Sequence, residues 1–201
     1  MYNTNDNIVA LATTPGKSAL NVIRVSGPNV VSLLQKITSK DFKPKPNYCY
    51  LQKILNPKSL AVLDQGVVVF FKSPKSYTGQ DLIELSVHGG GVVAQKIINT
   101  FINIGVRRAL PGEFSYRAFV NGKIDLIQAE AIASIINTNS DLNAYYAAKN
   151  LVGGLSVAFN GLRKSLLNVI TYMEHELDFD ENEIEFKKFA SYAKQIKKIQ
   201  K

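Results

Sequence analysis

The chain has 201 residues, 46% of them hydrophobic, one cysteine, and 24 Lys and Arg against 16 Asp and Glu, a net charge of +8. One thiol excludes a disulfide framework, and no apolar run approaches the roughly 20 residues needed to cross a bilayer. The start, MYNTNDNIVA, lacks the basic and apolar stretches of a signal peptide, so the expectation is a cytoplasmic globular chain with no membrane partner.

From the N-terminus, residues 8–12 and 20–26 are apolar and rich in β-branched residues, and read as two strands around Thr13-Thr14-Pro15-Gly16-Lys17-Ser18. Gly16-Lys17-Ser18 looks like the tail of a phosphate-binding P-loop, GxxxxGK(S/T). The first glycine of that motif is replaced by Leu11, and the chain enters a strand rather than a helix, so no nucleotide-hydrolysing site is expected. Pro28 permits a helix start, and Val30, Val31, Leu33, Leu34 and Ile37 recur at helical spacing. After the connector Lys43-Pro44-Lys45-Pro46-Asn47, strands are expected at 48–54, 66–71 and 81–87, with Cys49 in the first. The middle one is continuously apolar and so expected to be central. Gly89-Gly90-Gly91 then precedes a helix over about 92–104. Strands and helices intermixed in this order predict an α+β, mixed-sheet domain, assigned to residues 1–120.

Pro111-Gly112 breaks the chain ahead of a short helix at 113–119, and Asn121-Gly122 ends it. Asp125, with Gln128 three residues on, forms a capping-box pattern that starts the next helix. From 121 onward no strand signal appears. Leu155, Phe159, Leu162, Leu166, Val169, Met173 and Leu177 mark one stripe of a helix expected over 141–178, about 55 Å long and kinked at Gly153-Gly154. That stripe requires a partner. The positive charge concentrates at Lys187, Lys188, Lys194, Lys197, Lys198 and Lys201, with no acid after Glu185, so the body is nearly neutral. A solvated helical face is the simplest reading of that run, with RNA contact the alternative.

Three charged residues stand out. Arg24 interrupts the apolar strand Val22-Ile23-Arg24-Val25, and Glu84 interrupts Leu82-Ile83-Glu84-Leu85. Each points to solvent by alternation, pairs with the other, or faces a ligand. Lys123 lies in the turn between two helices, as a solvated lysine or as a cation beside a helix start where an anion is held. Glu113 and Arg117 form an i,i+4 pair, with a place at a pocket rim as the alternative. His88 and His175 read as structural, since no cluster with metal-ligand spacing accompanies them. No catalytic residue and no metal ligand is assigned.

DNIVALATTPGKSALNVIRVSG at 6–27, LDQGVVVFF at 63–71, TGQDLIELSVHGG at 78–90, PGEFSYRAFVNGKIDLIQAEAIASII at 111–136 and LDFDENEIEF at 177–186 together resemble the front half of the tRNA-modifying GTPases MnmE or TrmE. The resemblance implies an N-terminal domain similar in fold to folate-dependent aminomethyltransferases, followed by the first part of an all-α domain at 121–201. The family's GTPase domain and C-terminal helices are expected beyond this fragment. It further implies binding of a tetrahydrofolate derivative, 5-formyl- or 5,10-methylene-tetrahydrofolate, with Arg24, Glu84 and Lys123 at positions matching folate-contacting residues. Homodimerisation through the N-terminal domain, a flavin-dependent partner MnmG or GidA, and tRNA as substrate are implied in the same way. The expected outcome is an aminomethyl or carboxymethylaminomethyl group at C5 of the wobble uridine, with GTP, magnesium and potassium used only by the intact family protein. A non-enzymatic dimerisation or RNA-docking module and a free-standing folate-dependent aminomethyltransferase are the alternatives.

Overall fold

Apolar and β-branched segments, joined by one two-residue strand, build a six-stranded sheet, seen here in a computed structural model that describes residues 4–178 together with 193, 194, 196 and 197. The strands are β1 (Ile8–Leu11), β2 (Leu20–Ser26), β3 (Cys49–Leu55), β4 (Val62–Phe71), β5 (Leu82–His88) and β6 (Arg107–Arg108). Their order is β3-β4-β5-β2-β1-β6. All neighbours are antiparallel except β1 and β6, which run parallel, so the sheet is mixed and the fold α+β as expected. The two-residue β6 has no sequence signal. It is held because the Arg107 N–H donates to the Asn7 carbonyl and the Ala109 N–H to that of Val9.

One face of the sheet is covered. Val9, Ile23, Val25, Ile83, Leu85, Val68 and Phe70 pack against Val30, Leu33, Leu34 and Ile37 of α1 (Val30–Ile37) and Ala94, Ile97, Ile98 and Phe101 of α2 (Gly91–Asn103). Each large side chain buried in this way contributes about 1.5–3 kcal/mol. Among the described residues the opposite face is buried near the Ser26 end of β2, at Ile8, Ser26 and Leu82. Toward the other end Leu20, Leu51 and Val67 remain 57%, 65% and 37% exposed. The expectation that the apolar run of β4 marks a central strand is therefore corrected. β4 is internal but lies next to the edge strand β3, and alternate members of its run sit on the bare face.

The chain divides into two compact units, Met1–Ile124 and Asp125–Lys201. The first also contains α3 (Glu113–Val120). The second is helical: α4 (Leu126–Asn137), α5 (Asp141–Leu151) and α6 (Gly154–Asp178). The Asp125 capping box is formed, with Gln128 N–H donating to Asp125 Oδ1 at 2.8 Å and the Asp125 N–H to Gln128 Oε1 at 3.0 Å. The single kinked helix expected over 141–178 is instead two helices. Gly153 adopts φ +88°, a left-handed conformation that ends α5 outright. In this unit only Ala131, Ala147 and Val169 are buried apolar side chains among the described residues, while Phe159, Leu162, Leu166 and Met173 of the stripe are 40% or more exposed. Most of the lysine-rich run after Glu185 lies outside the described residues.

Candidate functional site

Arg24 and Glu84 sit on the half-bare face, directly opposite each other in the β2–β5 register. Arg24 Nε donates to Glu84 Oε1 at 2.6 Å, with the side chains 35% and 27% exposed. Of the three readings left open by the sequence, mutual pairing is thus realised. The pair uses one nitrogen and one oxygen. Among the described residues no hydrogen bond engages the two amino nitrogens of Arg24 or Glu84 Oε2. A guanidinium offers five N–H donors and a carboxylate accepts about four hydrogen bonds, so donor and acceptor capacity both remain.

Tyr77 completes this cluster. The Arg24 Cζ lies 5.5 Å from the centroid of its ring, and its hydroxyl is 2.9 Å from Ser115 Oγ on α3. The ring is carried by the loop at 72–81, which is pinned on several sides. Ser26 and Thr78 hydroxyls meet at 2.7 Å, Asn121 Nδ2 donates to the Thr78 carbonyl at 2.7 Å, and Ser73 Oγ donates to the Gly79 carbonyl at 2.8 Å. Neither Tyr77 nor Ser115 was singled out from the sequence. The signal available was an aromatic residue immediately before TGQDLIEL.

Lys123 reaches the same loop at Gly79. Gly122, at φ 66°, closes α3 with paired bonds from the Gly122 N–H to the Phe119 carbonyl and from the Lys123 N–H to the Ala118 carbonyl. That geometry sets the lysine backbone firmly. Its stem lies against Gly79, where a Cβ would meet Lys123 Cγ at 3.1 Å. Arg24 and Glu84 are joined directly, and Lys123 flanks the loop two residues from the tyrosine that carries Arg24. The lysine is exposed, and among the described residues no ion pair ties it to the other two. A cleft of about 470 Å³ beside the loop, lined by Asn5, Gly27, Pro28, Ser73 and residues 79–81, contains none of the three charged residues.

Glu113 and Arg117 pair at 3.0 Å as expected, but both are buried, which corrects their placement at a rim. They belong to a four-membered ionic knot. Arg107 donates to Glu113 Oε1 at 2.6 Å and to Asp6 Oδ2 at 2.7 Å, and Arg117 donates to Asp6 and to Gln80 Oε1. Burial pushes the Glu113 carboxyl up, but bonds from Arg107, the Leu110 N–H and Arg117 outweigh it and hold the carboxyl below its ordinary value. Asp6 is lowered in the same way, burial being outweighed by Arg107 and Arg117. Through Gln80, this knot also fixes the loop that bears Tyr77.

His88 is bound by Asp64, its main-chain N–H to Oδ2 at 2.8 Å and its Nδ1 to Oδ1 at 2.7 Å. The interaction ties the end of β5 to β4. Burial raises the Asp64 carboxyl, but bonds from His88 and Gln65 outweigh it, for a net downward shift. His175 lies on α6. Among the described residues, no cluster of three or more His, Cys, Asp or Glu side chains is placed to hold a metal ion, and no helix is long and apolar enough to cross a membrane.

Residues 7–123 match the family model for the GTP-binding protein TrmE N-terminus, and residues 126–201 match that for the MnmE helical domain. The chain is 41% identical over 202 residues to the tRNA modification GTPase MnmE of Francisella tularensis subsp. novicida, covering 99% of this chain and 44% of that protein. It is 43% identical over 196 residues to the protein of the same name from Legionella pneumophila, covering 96% of this chain and 43% of the relative. The chain thus spans less than half the length of the relatives it matches. A sheet domain and a helical segment that fit two successive models of one family, backed by full-chain identity above 40%, place this chain in the MnmE/TrmE family.

Proposed function

We propose that this chain supplies the tetrahydrofolate-binding part of a tRNA-modifying GTPase, with Arg24, Glu84 and Lys123 as the contacting residues. The observation that carries the reading is the Arg24–Glu84 pair on the half-bare sheet face, engaged through one atom of each and so retaining donors and an acceptor for a ligand. A reduced pterin presents neighbouring N–H donors, which the unengaged Glu84 oxygen accepts. The glutamate tail carries carboxylates, which the guanidinium of Arg24 or the ammonium of Lys123 holds. When bound, 5,10-methylene-tetrahydrofolate, whose carbon is already at the methylene level, would supply the one-carbon unit for an aminomethyl or carboxymethylaminomethyl group at C5 of the wobble uridine of tRNA, and 5-formyltetrahydrofolate would fill the same site without being the donor. The residues here bind and orient it, and none is assigned a catalytic role.

The relatives' name, tRNA modification GTPase, supports the tRNA part of this proposal. In the intact family protein GTP, magnesium and potassium act at a GTPase domain, and the flavin-dependent MnmG or GidA joins the reaction in the cytoplasm. Homodimerisation through the first unit is supported by Leu20, Leu51 and Val67, exposed on the open face of the sheet. The second reading, a dimerisation module without ligand, is favoured by the mutual pairing of Arg24 and Glu84, which leaves neither charge unaccompanied.

Calorimetric titration with 5-formyltetrahydrofolate separates the two. Glu84→Ala or Arg24→Ala is expected to weaken binding by about 1.5–3 kcal/mol, roughly tenfold to over a hundredfold, as for loss of a charged hydrogen bond. Unchanged affinity in both variants, or no binding by the parent chain, would leave the pair a purely structural element.

A further inference from the structure

We infer that Tyr77 is a positioning residue for Arg24, an inference that rests on the folate-binding reading above. Two constraints act on one guanidinium. Glu84 Oε1 holds Nε at 2.6 Å, and the Tyr77 ring lies 5.5 Å from Cζ. The edge bearing Nε and the side toward the ring are thereby committed, which leaves the two amino nitrogens as the donors directed at a ligand. An arginine side chain otherwise samples many rotamers, and a planar fork is useful for a carboxylate only when its direction is set. The ring's hydroxyl meets Ser115 Oγ on α3, while the ring itself is carried by the pinned loop backbone.

The loop does not depend on Tyr77 for its own shape. Thr78 is bound through its hydroxyl to Ser26 and through its carbonyl to Asn121, Ser73 N–H donates to Asp81 Oδ1, and Gln80 Nε2 donates to the Thr4 carbonyl. Replacing the ring therefore removes the support beneath Arg24 while the backbone stays held. Tyr77 acts on the ligand through Arg24, so its effect vanishes when the guanidinium is absent.

A double-mutant cycle on the full chain, read by calorimetric titration with 5-formyltetrahydrofolate, tests this. Tyr77→Leu is expected to weaken binding about three- to tenfold in the parent and to have no further effect in an Arg24→Gln background. Tyr77→Phe, which keeps the ring and loses only the hydroxyl, is expected to bind within twofold of the parent. Should Tyr77→Leu not fold, Tyr77→Met serves in the same cycle. An equal loss in both backgrounds would show that Tyr77 acts independently of Arg24 and overturn the inference. So would a Phe variant as weak as the Leu variant. If the parent itself fails to bind, the folate reading falls and this inference with it, whereas binding without coupling removes the inference alone.

Discussion

The two units of this chain treat apolar residues in opposite ways. In residues 4–124 the helices α1 and α2 close over one face of the sheet, and Ile23, Leu34, Ile97 and Phe101 are fully or almost fully buried. In residues 125–178 the long α6 leaves Phe159, Leu162, Leu166 and Met173 at least 40% exposed, and α4, α5 and α6 flank a groove of about 710 Å³ lined in part by Tyr146, Leu155 and Phe159. The first unit carries a core of its own. The second presents, among the described residues, a helical surface with its apolar stripe largely exposed.

The comparison breaks most readily at the ionic knot. Arg117→Ala leaves Glu113 buried without one of its two arginines, and is expected to cost the first unit about 3–5 kcal/mol. Hydrogen exchange should quicken throughout β1, β2 and β5 while α4 to α6 keep their protection. Equal loss of protection in both units would refute their independence. Acid is the next lever. Asp6, Asp64 and Glu113 are all held below their ordinary values of 3.8, 3.8 and 4.5, so the unfolded chain takes up protons more readily than the folded one. Their stabilisation is complete above pH of about 4.5 and drains away as pH falls through the lower folded values. The urea midpoint of the first unit should therefore decline below that pH, and less steeply in the Arg117→Ala variant. Smallest is the helix cap: Asp125→Ala should show as faster exchange confined to the first turn of α4, with the sheet unaffected.

What was legible in the sequence was local. The capping box at Asp125 and Gln128, the end of α3 at Asn121-Gly122, the β-branched run of β2 and the alternation in β5 are each fixed by residues a few positions apart, and all are present. The ionic knot was half legible, because Glu113 and Arg117 are four apart whereas Asp6 meets Arg117 across 111 positions. β6 escaped notice because two residues carry no periodicity, and its pairing is decided by β1. Gly153-Gly154 marked an irregularity, but the left-handed φ that separates α5 from α6 cannot be told from a kink by composition. The Arg24–Glu84 juxtaposition depended on strand register, which alternation alone does not specify between two strands so far apart in the chain. Lys123 illustrates the same limit: its turn was legible, and its approach to Gly79 was not.

The parallel pairing of β1 with β6, locked by Asp6 on Arg107 and Arg117, has a consequence for biosynthesis. At ribosomal speeds of about 5–20 residues per second, the 111 positions separating Asp6 from Arg117 correspond to roughly 6 to 22 s of translation. Until β6 is made, late in that interval, β1 has β2 on one side and no neighbour on the other. The nascent chain must keep this outer edge from pairing with foreign strands until the last arginine of the knot is made.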